Sequence, residues 1–357
     1  MKKLISLFLI LSLLLCGCSI EIVLEPEVTT PAVVSGDGTL AVHFIDVGQA
    51  DSILIECGGA FMLIDGGNRD DGQKVISYLQ SCGVEELEAV ICTHAHEDHV
   101  GGLPAVLAVY PTEKVYAPTK TYSSNIFDDF LYYVDQQRLE VTIPTPGTHF
   151  ILDGDGQTDG AEVTILGPVK SYAETNDTSI VVLVEFYNNS FLFTGDMEVE
   201  AENDMLDYWD GKIDWDVDLL KVGHHGSTTS SGYRFVYETD PEYAIVPVGA
   251  DNSYGHPHDE IIDRYHDAGI PIFRTDELGT ILAVSDGNEI TITWENQNAV
   301  PEDVEPAGDR VYIGNKNSMK FHGSDCDSLP KEENRVYFDS YEEAIQAGYS
   351  PCGSCIG

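Results

Sequence analysis

Residues Thr93–Gly102 read THAHEDHVGG, a stretch that concentrates side chains able to bind metal ions. Four such side chains lie within six residues: His94, His96, Asp98 and His99. The preceding run Ala89–Cys92 is apolar and of strand length, so the cluster should stand at the end of a buried strand. At this spacing the four side chains cannot meet at one point, but the two histidines and the Asp-His pair can serve two adjacent points. Because imidazole and carboxylate together suit zinc, iron or manganese, the stretch predicts a two-metal site.

The HxHxDH pattern followed by Gly101 and Gly102 resembles the signature of the metallo-β-lactamase superfamily, whose members are binuclear metallohydrolases. The resemblance implies an α/β fold, the four-layer αββα sandwich, over residues 39–296. Apolar runs predict strands at Leu40–Ile45, Ser52–Glu56, Phe61–Ile64, Ala89–Cys92, Val163–Leu166, Ser179–Phe186, Phe191–Phe193, Leu219–Val222, Ala244–Pro247, Pro271–Arg274, Thr280–Ser285 and Ile290–Trp294. Amphipathic spacing predicts helices at Gly72–Cys82 and His258–Ala268.

The superfamily resemblance also implies three further partners: an acid after an early strand, a bridging acid after a later strand, and a last histidine. Each place is filled directly after an apolar run: Asp65, Asp196 and the pair His224–His225. Adjacent side chains diverge, so one histidine of the pair should bind metal and the other should face the substrate. The residues alone leave open which one binds, and the resemblance assigns the metal to His225.

The resemblance implies a ligand set for each of two divalent ions. One ion is expected on His94, His96 and Asp196, and the other on Asp98, His99, Asp196 and His225. The ions would share a water molecule and lower its pKa, and the resulting bridging hydroxide would attack phosphorus or a carbonyl carbon.

Other side chains are expected to assist the reaction. Asp65 should orient a metal-binding histidine rather than bind metal itself, and Asp98 is counted as catalytic as well as a ligand. His224 and His256 are candidates for protonating the leaving group or contacting phosphate. The alternative for His256 is a loop residue near the start of a helix.

Several segments are similar to one branch of the superfamily, the soluble hydrolase domain of the competence protein ComEC. They are His43–Ser52, Phe193–Asp196, Lys221–Ser227 and Ser253–His258. The bacterial teichoic-acid phosphorylcholine esterases share much of this set. The resemblance extends over Leu40–Trp294 and favours phosphate chemistry over the hydrolysis of β-lactams or lactones.

The chain departs from the common superfamily pattern at one ligand. Many members carry another histidine between the HxHxDH cluster and the bridging acid, whereas here that interval holds only His149, in a segment expected to be a Pro-Gly loop. The segment Asn176–Ser179 stands in its place, as in the ComEC-like branch. The first site should then be more open and richer in oxygen ligands, which leaves zinc and manganese as alternatives.

The amino-terminal residues 1–17 resemble the signal peptide of a bacterial lipoprotein. Two lysines precede an apolar run at Leu4–Leu15, which is too short to span a bilayer permanently. Cleavage before Cys18 and lipidation of its thiol are expected, followed by a tether over residues 18–38. Cys16 is the poorer candidate for lipidation, and a plain signal peptide is the alternative. The protein is therefore expected to be lipid-anchored to the cell membrane, outside the cytoplasm.

The carboxyl-terminal residues 307–357 follow a linker at 297–306 and carry a second group of candidate ligands: His322, Cys326, Cys352 and Cys355. Such a set suits one structural zinc ion, which would allow a segment with a small core to fold. The segment resembles the zinc-binding domain of the Ada DNA-repair protein. There the first zinc cysteine accepts a methyl group, but His322 stands at that position here, so methyl transfer is not expected. A disulfide between Cys352 and Cys355 is the alternative.

The charge of the chain sets limits on its substrate. There are 18 Lys and Arg residues against 61 Asp and Glu, a formal net charge of −43. Such a surface repels polyanions, whereas both resemblances point toward DNA. The leading hypothesis is a membrane-anchored metal-dependent phosphodiesterase acting on DNA, that is, a nuclease. The alternatives are a phosphodiesterase of the cell envelope, and a DNA- or envelope-binding lipoprotein whose metal site is vestigial. The sequence indicates no partner protein.

Overall fold

The computed structural model describes residues 38–154, 160–301, 312–323, 326, 328–338 and 341–352. The predicted signal peptide, all of the tether except its last residue, the lipidation site Cys18, linker residues 302–306 and Cys355 lie outside the described residues. None of the helices in the described part of the chain is both long enough and apolar enough to cross a membrane.

Strands of the large domain form two sheets. The strands are β1 Leu40–Phe44, β2 Ile53–Cys57, β3 Ala60–Ile64, β4 Leu87–Ile91, β5 Thr112–Tyr116, β6 Val141–Thr142, β7 His149–Leu152, β8 Ala161–Gly167, β9 Val181–Phe186, β10 Asn189–Phe193, β11 Leu219–Lys221, β12 Tyr243–Val246, β13 Ile272–Arg274, β14 Ile281–Ser285 and β15 Ile290–Trp294. The first sheet has the order β15-β14-β1-β2-β3-β4-β5-β6, and the second has the order β13-β12-β11-β10-β9-β8-β7. Pairing is parallel from β3 to β6 and from β10 to β13, and antiparallel elsewhere.

The α-helices of the large domain lie mostly over the outer faces of its two sheets. They are α1 Gly72–Ser81, α2 Glu97–Val100, α3 Leu103–Val109, α4 Asn125–Gln136, α5 Val199–Trp209, α6 Tyr233–Thr239, α7 Asp259–Asp267 and α8 Thr275–Leu278. Helix α1 buries Val75, Ile76 and Leu79, which recur at helical spacing on one face. Because most strands are covered on both faces, they are continuous apolar runs rather than alternating ones.

Three apolar layers hold the large domain together. Side chains from the facing surfaces of the two sheets fill the middle layer, where the rings of Phe44 and Phe193 lie 6.2 Å apart. A second layer joins the first sheet to α1, α3 and α4, and a third joins the second sheet to α5, α6 and α7. This is the αββα sandwich, so the predicted fold class is confirmed.

The residue His149 does not lie in a loop, so that expectation is wrong. It begins β7 and pairs with Thr164 of the neighbouring strand. Only the residues before it form the turn, because Gly147 N donates to Ile165 O at 2.8 Å and Ile165 N donates to Thr148 O at 2.8 Å. The side chain of His149 points to solvent and lies 3.6 Å from a carboxylate oxygen of Glu162.

The first residues of the predicted linker pack against the large domain. Ala299 contacts the apolar layer between the two sheets, and the indole nitrogen of Trp294 donates to its carbonyl at 3.2 Å. Residues 297–300 therefore continue the fold of the hydrolase domain for a short distance beyond the predicted boundary at residue 296.

The carboxyl-terminal segment forms a small separate sheet with one helix. Its elements are β16 Tyr312–Asn315, β17 Lys320–His322, β18 Arg335–Phe338, α9 Tyr341–Gln346 and β19 Ser350–Pro351, in the strand order β18-β16-β17-β19. Its core consists of Tyr312, Phe321, Phe338 and Ala344. Two tyrosines of α6, Tyr233 and Tyr237, pack against this core, and the hydroxyls of Tyr237 and Tyr312 lie 2.7 Å apart.

Candidate metal centre and substrate cavity

The candidate site lies where the carboxyl ends of strands from both sheets meet. Strands β3 and β4 end side by side, and β10 and β11 do the same in the other sheet. Ile180 directly precedes β9 of the second sheet, and its backbone N–H donates to Thr93 O, just after β4 of the first sheet, at 2.8 Å. This hydrogen bond links the two sheets at the site. Side chains that follow different strands are thereby brought to one place.

The two glycines after the HxHxDH pattern allow this close packing. A Cβ atom at Gly102 would collide with the carbonyl oxygen of Gly66, and one at Gly101 would collide with the backbone of Glu97 and Arg69. Only residues without a side chain fit here, so the Gly-Gly pair seats the metal-ligand turn against the loop after β3.

Four predicted ligands form one compact group: Asp98, His99, Asp196 and His225. One ligand atom from each lies within 4.8 Å of all the others. His99 Nε2 lies 3.2 Å from Asp196 Oδ2, and His225 Nε2 lies 3.6 Å from Asp98 Oδ2. Within the described residues, the buried atoms His99 Nε2, His225 Nε2 and Asp196 Oδ1 have no hydrogen-bond partner. Buried polar atoms without partners are costly, so this donor set fits a divalent metal ion.

The other ring nitrogens of these histidines are already engaged. His99 Nδ1 donates to Asp65 Oδ2 at 2.8 Å, and His225 Nδ1 donates to the carbonyl of Pro247 at 2.8 Å. Each hydrogen bond fixes the tautomer and leaves the Nε2 lone pair directed into the group. Asp65 also accepts from the hydroxyl and the backbone N–H of Thr93 at 2.6 and 2.8 Å. The structure thus places Asp65 behind His99, where an orienting residue would stand.

In the second predicted ligand group, His94 lies close to both His96 and Asp196. His94 Nε2 lies 3.1 Å from His96 Nδ1 and 3.9 Å from Asp196 Oδ2. Near it, Asn176 donates from Nδ2 to Glu198 at 3.0 Å. Its own Oδ1 is buried and lacks a hydrogen-bond partner among the described residues. Ser179 of the same segment lies with its Oγ 3.4 Å from His94 Nδ1, so the segment Asn176–Ser179 stands beside this group, and its role in place of the missing histidine stays a prediction.

The adjacent histidines His224 and His225 diverge, as expected from the sequence. Both have left-handed backbone conformations, with φ of 48° and 53°. The ring of His225 turns into the buried group, whereas His224 faces the cavity with its Nε2 3.7 Å from Asp196 Oδ2. The His256 ring stands edge-on to that of His224 at 5.6 Å. Burial, with a smaller contribution from His224, lowers the pKa of His256 to about 4, and burial also lowers the pKa of His224.

Two residues that the sequence did not single out complete the floor of the site. Lys221 is fully buried, and its Nζ lies 2.6 Å from Asp51 Oδ2, 2.7 Å from Gly195 O and 3.7 Å from Asp196 Oδ1. Burial alone would lower the pKa of Lys221, but Asp51 and Asp196 hold it above its usual value, so the ammonium stays charged. Both residues lie in segments that carry the resemblance, yet only the fold shows that they form a pair.

A cavity of about 510 Å³ opens above the candidate metal ligands. Its lining includes the acids Glu97, Asp98 and Asp196 as well as Tyr254 and His256. Among the described residues that line it there is no lysine or arginine. The described lining would therefore disfavour an anionic ligand unless bound cations offset its acidic groups.

The small carboxyl-terminal domain has its own compact ligand group. His322, Cys326 and Cys352 are buried, and one ligand atom from each lies within 4.8 Å of the others. His322 Nδ1 is 3.3 Å from Cys326 Sγ. Nitrogen and sulfur donors at this separation suit zinc, and the fourth predicted ligand, Cys355, lies outside the described residues.

The two packed sheets form an αββα sandwich, and histidines and carboxylates lie close together at the carboxyl ends of its strands. These two features together are typical of a metal-binding αββα protein. Residues 45–250 match the family described as "Metallo-beta-lactamase superfamily", and residues 296–356 match that described as "Metal binding domain of Ada". The chain belongs to the metallo-β-lactamase superfamily and carries an Ada-like zinc-binding domain. Both resemblances expected from the sequence are thereby confirmed.

The chain is also similar to longer competence and recombination proteins. It is 29% identical over 259 residues to ComE operon protein 3 of Bacillus subtilis, covering 67% of this chain and 32% of that protein. It is 33% identical over 236 residues to Recombination protein 2 of Haemophilus influenzae, covering 64% and 26%. The chain thus spans about a third or less of these relatives. Among solved structures, the metallo-β-lactamase fold protein YhfI of Bacillus subtilis matches at a TM-score of 0.46 and 12% identity, over 72% of this chain and 100% of that one.

Proposed function

We propose that this protein is a binuclear metal-dependent phosphodiesterase whose substrate is DNA. The observation that carries the proposal is the compact group of half-buried Asp98 with buried His99, Asp196 and His225. The Nε2 atoms of the two histidines are oriented into this group and are otherwise unpartnered. The names of the relatives, a ComE operon protein and a recombination protein, make DNA the substrate to test first. Because those relatives are much longer, their whole activity is not assumed for this chain.

The proposed roles follow from the contacts of each side chain. One ion, zinc or manganese, would be held by His94, His96 and Asp196 with Asn176 nearby, and the other by Asp98, His99, Asp196 and His225. When bound, such ions lower the pKa of a water molecule and stabilise negative charge on the substrate oxygens. Asp65 holds His99 in its binding orientation. His224 and His256 face the cavity, where either is a candidate for contacting phosphate or protonating the departing oxygen. Because burial lowers the pKa of both rings, the second role requires that the negative charge of a bound phosphate raise that pKa again.

The two ends of the chain have proposed roles of their own. A lipid on Cys18 would anchor the protein to the outer side of the cell membrane, which the sequence of residues 1–18 supports. A structural zinc ion would be held by His322, Cys326, Cys352 and Cys355, which the buried cluster of the first three supports. Neither role depends on the phosphodiesterase activity.

The negative charge of the cavity lining and of the whole chain favours a second candidate function. The cavity lining described above carries acids without lysine or arginine, and the chain has a formal net charge of −43. A phosphodiesterase of the cell envelope, acting on diesters such as phosphorylcholine esters, would meet less repulsion than an enzyme acting on long DNA.

The test is hydrolysis by the full-length chain, purified in detergent and supplied with Mn²⁺ or Zn²⁺. Substrates are bis(p-nitrophenyl) phosphate, single- and double-stranded DNA, and p-nitrophenyl phosphorylcholine. We expect DNA and bis(p-nitrophenyl) phosphate to be cleaved, with the rate of Asp98→Ala falling to background because a metal ligand is lost. Asp286→Ala is the control, since Asp286 is an exposed turn residue away from the site. Cleavage of the phosphorylcholine ester without DNA would favour the second candidate. Silence on every substrate would leave a binding protein with a vestigial site.

A further inference from the structure

The mouth of the cavity carries an exposed aromatic ring. Tyr254 is 67% exposed and lines the cavity together with His256. The two rings are stacked, with centroids 5.6 Å apart and planes at 24°. One face of Tyr254 is thus supported from behind while much of its surface meets solvent. Such a ring is suited to stack on a flat group of the substrate.

The loop that presents this ring is held rigidly by Asn252. Its Oδ1 accepts from the backbone N–H groups of Tyr254 and His256 at 3.1 and 3.0 Å. Its Nδ2 donates to the carbonyls of Gly249 at 2.9 Å and of His256. Gln49 accepts from Gly249 N at 3.1 Å, which joins the loop to the first sheet. A platform fixed before binding costs little ordering when a ligand arrives.

The platform is connected to the metal centre by direct contacts. The ring of His256 lies edge-on to His224 at 5.6 Å, and His224 Nε2 lies 3.7 Å from Asp196 Oδ2. A diester whose phosphate lies at the metal ligands would therefore have one of its substituents on the same side as Tyr254. A flat substituent of such a diester would then be the group available to stack on the ring.

The charges around the cavity limit what that substrate can be. Duplex binding normally uses lysine and arginine along the phosphate backbone, and the lining residues described above include neither. A long polyanion would gain nothing from its flanking phosphates here. An unpaired nucleobase, by contrast, can stack on Tyr254 without any basic side chain. In a duplex the bases are already stacked and paired, so their faces are not available to the ring.

We propose that Tyr254 is a specificity-determining residue that stacks on an unpaired nucleobase, so that the site takes single-stranded nucleotide diesters in preference to duplex DNA. The proposal rests on the proposed phosphodiesterase function but is tested separately through binding. Calorimetry with the full-length chain and Mn²⁺ compares dTMP, which carries a base, with deoxyribose phosphate, which does not. Variants are Tyr254→Ala, Tyr254→Phe and, as a control, Tyr132→Ala, an exposed tyrosine on α4 away from the cavity.

The expected result separates stacking from a general loss of structure. Tyr254→Ala should weaken dTMP binding about tenfold, whereas Tyr254→Phe should bind dTMP like the wild type. Neither variant should change the affinity for deoxyribose phosphate, and Tyr132→Ala should change nothing. In turnover, the wild type should cleave a single-stranded oligonucleotide at least about ten times faster than the same strand in a duplex, and Tyr254→Ala should raise the KM for that strand with little change in kcat.

Other outcomes overturn the proposal in distinguishable ways. Equal dTMP affinity in wild type and Tyr254→Ala would contradict the platform while leaving phosphodiesterase activity intact. If Tyr254→Ala instead weakened only phosphorylcholine binding, the ring would recognise an ammonium group by a cation–π contact, and the nucleobase assignment would be wrong. Failure of the wild type to hydrolyse bis(p-nitrophenyl) phosphate would contradict the proposed function, and the dTMP measurement would still decide the role of the ring.

Discussion

The residue Lys221 places a positive charge in the interior beside the candidate metal ligands. Its ammonium contacts Asp51 at 2.6 Å and lies 3.7 Å from Asp196, and all three side chains are buried. Charges removed from water are stable only when they are paired and hydrogen-bonded. Asp51 in turn lies 3.4 Å from His225 Nδ1. Lys221 therefore balances a carboxylate that would otherwise repel its acidic neighbours.

We expect Lys221→Met to lower the free energy of unfolding by roughly 3–5 kcal/mol, because it leaves Asp51 buried without its cation. The double variant Lys221→Met/Asp51→Asn removes both charges and should recover most of that loss. Urea denaturation of the metal-free protein measures both. Lys170→Met is the matched control, since Lys170 pairs with Glu200 and Asp204 on the surface and should change stability little. Equal stability of the single and double variants would show that Asp51 does not depend on Lys221.

Among single residues, the sequence predicted the candidate metal ligands, because these lie in short, recognisable sequence patterns. The HxHxDH spacing and the acids or histidines after apolar runs led to the group that the structure brings together. Asp51, Lys221 and Tyr254 lie in segments that carry the ComEC-like resemblance, but nothing in the sequence marks these three side chains as forming contacts in the site. Their contacts depend on strand pairing between distant parts of the chain, which one sequence does not reveal.

Strands were easier to predict than helices in this chain. Each predicted strand agrees with an observed one to within two residues at each end, because buried strands are short continuous apolar runs. Strands β5, β6 and β7 were not predicted. Helix α4 was missed although Ser124 caps it and its buried residues recur at helical spacing, since its aromatic composition favours strand. Helix α5 was missed because a buried Glu202 interrupts its apolar face. The backbone N–H groups of Ser231 and Gly232 that satisfy Glu202 come from another part of the fold.

The small carboxyl-terminal sheet brings its zinc candidates together through the pairing of two short strands. Strands β17 and β19 are parallel, with Phe321 opposite Pro351, so His322 and Cys352 emerge side by side. The backbone of Cys352 also donates to Phe321 O at 2.9 Å. Among the described residues of this unit, the apolar cluster contains four buried side chains, which is a small core to oppose unfolding. Its stability should depend on the metal.

Removal of zinc from this unit should unfold it while the large domain remains folded. We expect Cys326→Ser to lose one zinc equivalent by elemental analysis, and to expose α9 and β16–β19 to rapid amide hydrogen exchange. Met319→Ser, an exposed change in the same unit, should keep both the zinc and the protection. Protection of β16–β19 that survives Cys326→Ser would show that the apolar core and the contact with α6 suffice without metal.

The whole molecule combines the candidate metal site, for which we propose phosphate diesters as the substrate, with a strongly acidic composition. A formal net charge of −43 creates a field that opposes the approach of any polyanion. Most nucleic-acid-binding proteins show the opposite arrangement, and added salt weakens their binding because it competes with lysine and arginine for phosphate. Here salt should screen repulsion instead, since exposed charges separated by more than about 8–10 Å are largely screened at physiological ionic strength.

We therefore expect the KM for a single-stranded oligonucleotide to fall as NaCl is raised from about 50 to about 200 mM, the reverse of the usual dependence. The KM for bis(p-nitrophenyl) phosphate, which carries one negative charge, should change much less over the same range, and this substrate controls for effects of salt on the metal centre. The KM for a longer oligonucleotide should fall more steeply with salt than the KM for a short one, because repulsion grows with the number of phosphates near the surface. A KM that rises with salt would mean that DNA meets a locally basic surface despite the acidic whole, and the residues that form it would then have to lie outside the cavity.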